Sequence, residues 1–165
     1  MIHNLKVNLI LTISLLLTPS LAASSQDLHR LWDDRCATCH NHAGDFSRQF
    51  LSVSNGELQG KHHTHDLRLF LKNHYLAGHS VDAVYNMLLA QTKTDPRFKS
   101  ECSSCHANAA NFLRNSIILR DSVLYSRKLN IPVRDFLNGH RNLQPDDVDF
   151  FMQQLTRIAH EIFQP

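Results

Sequence analysis

An all-α fold of two tandem helical modules is predicted by three observations. Apolar residues recur at helical spacing along most of the chain, strand-like alternation is scarce, and the whole pattern repeats once at a fixed offset. The repeat shows first in the cysteines. The only four are Cys36, Cys39, Cys102 and Cys105, and they fall in two pentads, CATCH at 36–40 and CSSCH at 102–106. Corresponding residues of the pentads are 66 positions apart. Without a gap, the same offset pairs Ala43 with Ala109, Phe46 with Phe112, Arg48 with Arg114, Leu58 with Leu124 and Arg68 with Arg134. It also pairs Phe70-Leu71 with Phe136-Leu137, His74 with His140, Leu89 with Leu155, and Trp32 with Phe98.

The elements follow in chain order. Residues 1–23 carry Lys6, an apolar run from Val7 to Leu17, and small residues at Ala22 and Ala23. This is the pattern of a secretory signal peptide, cleaved near Ala22 or Ala23, because the run is too short to span a bilayer. An uncleaved anchor is the alternative. The expected product is a periplasmic protein without stable membrane insertion, in a first module at 24–92 and a second at 93–165. Modules of this size are marginal on an apolar core alone, and a cofactor or staple usually completes them.

In the first module Leu28, Leu31, Trp32 and Arg35 predict a helix running into CATCH. A short helix carries Phe46 and Phe50, and an irregular connection contains Gly56 and Gly60. Leu67, Phe70, Leu71 and His74 predict one buried helix face, and Val81, Val84, Tyr85 and Leu88 a closing helix capped by Ser80. In the second module Asp95 and Pro96 mark the start of the helix into CSSCH. Pro132 opens the equivalent of the His74 helix, with Val133, Phe136, Leu137 and His140, and Pro145 opens the closing helix with Val148, Phe151, Met152, Leu155 and Ile158.

The pentads have a specific chemistry. Two thiols three positions apart can each add to a haem vinyl group, and the adjacent histidine then reaches the iron. Two disulfides would need no repeated histidine. A zinc site would want both cysteine pairs at finger or ribbon spacing, but 62 residues lie between Cys39 and Cys102. A thioredoxin-like dithiol expects a βαβ setting. Two covalently attached haem c groups are the reading that uses every pentad residue. The full-chain charge of +2, with lysines and arginines scattered, gives no basic patch for nucleic acid.

On CATCH, CSSCH, the aromatic-bearing first helix and the closing helix of each module, the chain resembles bacterial di-haem c-type cytochromes built from two class I-like modules. The resemblance implies a helical wrap around each haem and a role in electron transfer rather than catalysis. It carries Cys36, Cys39, Cys102 and Cys105 over as thioether attachments, with His40 and His106 as proximal ligands. The departure is on the distal side, where class I modules place a loop methionine and this chain has none. Met87 and Met152 fall inside the closing helices, one position out of register. His74 and His140 are in register, so the expected ligand pairs are His40/His74 and His106/His140. His62, His63 or His65 of KHHTH is the alternative on the first haem. The expected function is a periplasmic electron carrier, or a subunit of a larger redox complex, with redox proteins as partners. The rivals are a haem enzyme or gas sensor with one open iron, and a disulfide-stapled binding module without haem.

Overall fold

The computed structural model describes residues 26–61 and 66–163; the expected signal peptide at 1–23 and the KHHTH histidines lie outside them. The chain forms α1 (Leu28–Arg35), α2 (Ala37–His40), α3 (Ala43–Phe50), β1 (Leu51–Ser54), β2 (Glu57–Gly60), α4 (Leu67–Lys72) and α5 (Ser80–Lys93). A single π-helical turn, Phe98–Cys102, is followed by α6 (Ala109–Ser116), β3 (Ile117–Arg120), β4 (Val123–Ser126), α7 (Val133–Asn138) and α8 (Pro145–Ile162). The order α, β, β, α, α after each pentad is therefore the same twice, at the 66-position offset.

The all-α expectation is overturned by two antiparallel two-stranded sheets, β1 with β2 and β3 with β4. What read as an irregular connection is a hairpin, in which Leu51 pairs with Gly60 and Ser54 with Glu57. Its turn is Asn55-Gly56, with φ of 51° and 82°; the second hairpin turns on Asp121-Ser122, at 48° and 62°. Two successive left-handed residues match the twist of the flanking strands, and Asn-Gly is the usual choice for them. Each strand has four residues, too few for alternation to stand out. Leu51 and Leu58 still point inward, as do Ile117 and Leu124.

Helix ends also differ from expectation. His79, not Ser80, occupies the cap position of α5, and the Ser80 hydroxyl instead donates to Gln26 Oε1 at 2.9 Å. Asp95 and Pro96 precede a π turn that starts only at Phe98. Pro145 does open α8, behind a capping box in which Gln144 and Asp147 exchange hydrogen bonds.

Two hydrophobic clusters form, one from residues 28–88 and one from 98–162. Trp32, Tyr85 and Leu88 centre the first, and Phe98, Phe151 and Leu155 the second. The Leu58 N–H donates to the buried Tyr85 hydroxyl at 2.8 Å, tying the first hairpin to α5.

Polar contacts join the halves. Buried His29 on α1 meets Glu161 on α8 at 2.7 Å, and Arg157 holds the other Glu161 oxygen at 2.5 Å. Arg114 on α6 grips Asp27, just before α1, through both carboxylate oxygens at 2.7 and 3.0 Å. Burial alone would raise the Asp27 pKa, but the Arg114 pair and the Arg30 N–H outweigh it and hold the carboxyl below its ordinary 3.8. A depressed carboxylate stabilises the fold fully above its unfolded pKa, and that contribution disappears as pH falls through the folded value. Urea unfolding at about pH 6 and pH 3 tests this: the stability gap between wild type and Asp27→Asn is expected to shrink at the lower pH. A gap independent of pH contradicts the assignment.

Candidate functional site

Each half has a cavity walled by its pentad, by the helix ahead of its second histidine, and by its closing helix. Cavity 1, of about 410 Å³, is lined by Cys36, Cys39, His40, Phe46, Phe70 and His74 with aliphatic neighbours. Cavity 2, of about 320 Å³, is lined by Cys102, His106, Phe112, Phe136 and His140, together with Glu101 and Arg141. Seven of the eight residues singled out in the sequence thus face a cavity; Cys105 is exposed and lies outside the lining of cavity 2.

The pentads fold alike. His40 N–H bonds the Cys36 carbonyl at 2.9 Å and Cys39 N–H bonds it at 3.1 Å; His106 and Cys105 bond the Cys102 carbonyl at the same two distances. One helical turn therefore gathers two thiols and an imidazole on neighbouring positions. The four cysteines are free thiols, and burial raises the pKa of Cys36 and Cys102.

The second histidines fall just beyond their helices. α4 ends at Lys72, and the His74 N–H bonds the Leu71 carbonyl at 3.0 Å; His140 and Leu137 repeat this contact. The expected shared face forms: Leu67, Phe70, Leu71 and His74 all line cavity 1, but only the two leucines are buried, and Phe70 keeps 49 % of its surface exposed.

In cavity 1 the rings of His40 and His74 are 5.9 Å apart, centroid to centroid. Each imidazole has a phenylalanine against it. Phe46 approaches His40 edge-on at 4.7 Å, and Phe70 stacks on His74 at 4.9 Å and 22°. Phe112 on His106 (4.6 Å) and Phe136 on His140 (4.8 Å, 28°) repeat the pattern. Burial lowers the pKa of His40 and of His140, and the charge of the facing histidine lowers each further. Both shifts favour the neutral form of His40 and His140, which has a lone pair to donate.

Neither Met87 nor Met152 lines either cavity, and Met87 is packed in the first core cluster. Sequence reading missed the hairpin's share of the site: Leu51, Gly60 and Lys61 line cavity 1. Asn55-Gly56 was the available signal. Reading also missed Glu101 and Arg141, because charged residues beside an apolar site leave no periodic trace.

Among the described residues no three His, Cys, Asp or Glu side chains cluster as ligands for a metal ion, and no helix is long and apolar enough to cross a membrane. Compared with family models, curated proteins and solved structures, the chain matches none of them.

Proposed function

We propose that the protein is a di-haem c-type cytochrome that transfers electrons, each cavity holding one covalently attached haem between two histidines. The 5.9 Å separation of the His40 and His74 rings carries the reading. Two metal–nitrogen bonds of about 2.1 Å, plus the distance from nitrogen to ring centre on both sides, span about 6.5 Å, within about 0.6 Å of the separation found. Two facing imidazoles leave a metal's equatorial plane unfilled, and a porphyrin supplies those four nitrogens. Cys36 and Cys39 flank the same cavity, where their thiols can form thioether links to the ring edge. His106, His140, Cys102 and Cys105 are the corresponding set in the second half.

Haem supplies one-electron redox chemistry at its iron. The chain would bind and orient the group, with a phenylalanine packed against each imidazole. With two histidines holding the haem in each half, no position would remain for a substrate, which favours a carrier or a redox subunit over an enzyme or gas sensor. A second histidine in place of methionine would give a lower potential.

The test is the absorption spectrum of the holoprotein after export and denaturation. Haem that stays with the unfolded chain, at about two irons per chain, is the expected result. A colourless chain, or haem extracted by acid and organic solvent, overturns the proposal.

A further inference from the structure

A third cavity, of about 310 Å³, lies between the halves, and none of His40, His74, His106 and His140 lines it. Residues of α3 and α5 wall it from the first half, and residues of the π turn, α6 and α8 from the second. Its polar lining is not used up by internal contacts. Gln91 on α5 is only 7 % exposed, yet its amide has no hydrogen-bond partner among the described residues. Gln154 on α8, in the same lining, holds a buried Oε1 that also lacks a donor. Buried amides without partners are costly, and in native proteins they normally answer to water or to a ligand.

The remaining polar groups favour a negative ligand. Arg48 and Lys99 line the cavity against a single carboxylate, Asp45, so two positive charges face one negative. That carboxylate is already engaged: Lys99 Nζ donates to its two oxygens at 3.0 and 2.9 Å, and Arg48 Nη2 to one of them at 3.1 Å. Arg48 Nη1 has no acceptor among the described residues. His29 and His42 also line the space, the first tied to Glu161 and the second accepting from the Gly44 N–H.

Gly44 keeps two of these groups together. A Cβ there would lie 3.1 Å from Gln91 Oε1 and 3.2 Å from both terminal nitrogens of Arg48. The counterpart of Gly44 in the second half is Ala110, on the opposite wall of the same cavity. Ala109 and Ala110 form the first turn of α6, and their N–H groups have no acceptor among the described residues. Asn108 Oδ1 takes only the next one, from Asn111, at 2.8 Å. Free N–H groups at the start of a helix attract negative charge.

We infer that this cavity binds a small oxyanion of the phosphate class, held by the Gln91 amide, the Arg48 guanidinium and the first turn of α6, with Lys99 beside it. Donors on four separate elements surround the space, which suits a tetrahedral ion better than a planar carboxylate. Gln91 and Arg48 belong to the first half and α6 and Lys99 to the second, so the ion ties the halves together. The inference does not draw on the reading of cavities 1 and 2.

The probe is inorganic phosphate, titrated by calorimetry into the exported protein in a chloride buffer of fixed ionic strength, with acetate as the comparison. One phosphate per chain, with a Kd below about 1 mM, is expected. Gln91→Met removes the amide at nearly unchanged length and is expected to weaken phosphate about tenfold. Without phosphate this variant should unfold at no lower temperature than wild type, because nothing in the protein pairs with that amide. Lys99→Gln, at an exposed position, is expected to weaken phosphate by at least as much, since it leaves Asp45 to Arg48 alone. Phosphate should raise the unfolding temperature of wild type more than that of either variant. Absence of saturable binding overturns the inference. Binding that both variants leave unchanged also overturns it and marks an adventitious ion only. Acetate bound as tightly as phosphate overturns the assignment of a tetrahedral ion.

Discussion

Replacing His74 by alanine is expected to open cavity 1 to carbon monoxide while leaving cavity 2 closed. On the proposed reading, an iron held between His40 and His74, whose rings are 5.9 Å apart, would have both histidines as ligands, and an external ligand would have to displace one of them to bind. Alanine removes one nitrogen and also the stacking partner of Phe70, and among the described residues no third histidine lines the cavity. Cys36, Cys39 and His40 belong to the pentad turn and are untouched. The haem should therefore stay attached and become five-coordinate. Reduced His74→Ala is expected to bind about one carbon monoxide per chain, and wild type close to none. His140→Ala is expected to do the same in the second half, and the double variant to bind about two. The low-spin absorption should fall by about half in each single variant. Unchanged spectra and no carbon monoxide binding in His74→Ala would remove it as a ligand, and the KHHTH histidines would be next to test. Met87 would not, because it is packed in the core and absent from the cavity lining.

These histidines were legible because a duplicated chain can be compared with itself. A lone histidine after Leu67, Phe70 and Leu71 reads as an awkward core residue; a second, 66 positions on, turns it into an architectural requirement. The same comparison found the pentads and the phenylalanines that now flank the rings. It was blind to the hairpins even though they too repeat. Four-residue strands bury two side chains at most, and period-2 alternation needs a longer run to show. Asn55-Gly56 alone marked the first turn, and Asp121-Ser122 conveys less. The shared face of α4 was legible, since Leu67, Phe70, Leu71 and His74 all line cavity 1. Helical spacing cannot tell a core from a cavity, however, and Phe70 keeps 49 % of its surface exposed. The contact of His29 with Glu161 joins positions 132 apart, and no local pattern encodes such a pair.

That contact sets the second large effect: Glu161→Ala is expected to destabilise the protein by about 2–4 kcal/mol, slightly below the usual cost of breaking a buried charged pair. Glu161 is 8 % exposed and accepts from His29 with one oxygen and from Arg157 with the other. Alanine leaves both donors without that acceptor at a largely buried site. Arg157 is already short of partners, since its buried Nη2 has none among the described residues. The partial exposure of the Arg157 side chain, 24 %, lets it recover some hydration and keeps the loss below the upper limit. Glu161→Gln retains one acceptor oxygen and should cost less, about 1–2 kcal/mol. The damage should also be local. His29 is on α1, and α1 runs directly into Cys36, so freeing α1 from α8 loosens the support of the first pentad while the second keeps its own packing on α8. Amide exchange is therefore expected to quicken along α1 and the CATCH turn more than along α6. A His29→Ala/Glu161→Ala double-mutant cycle should give a coupling of about 1–3 kcal/mol. A loss below about 1 kcal/mol with strictly additive single variants would show that the pair only fills space between the two halves.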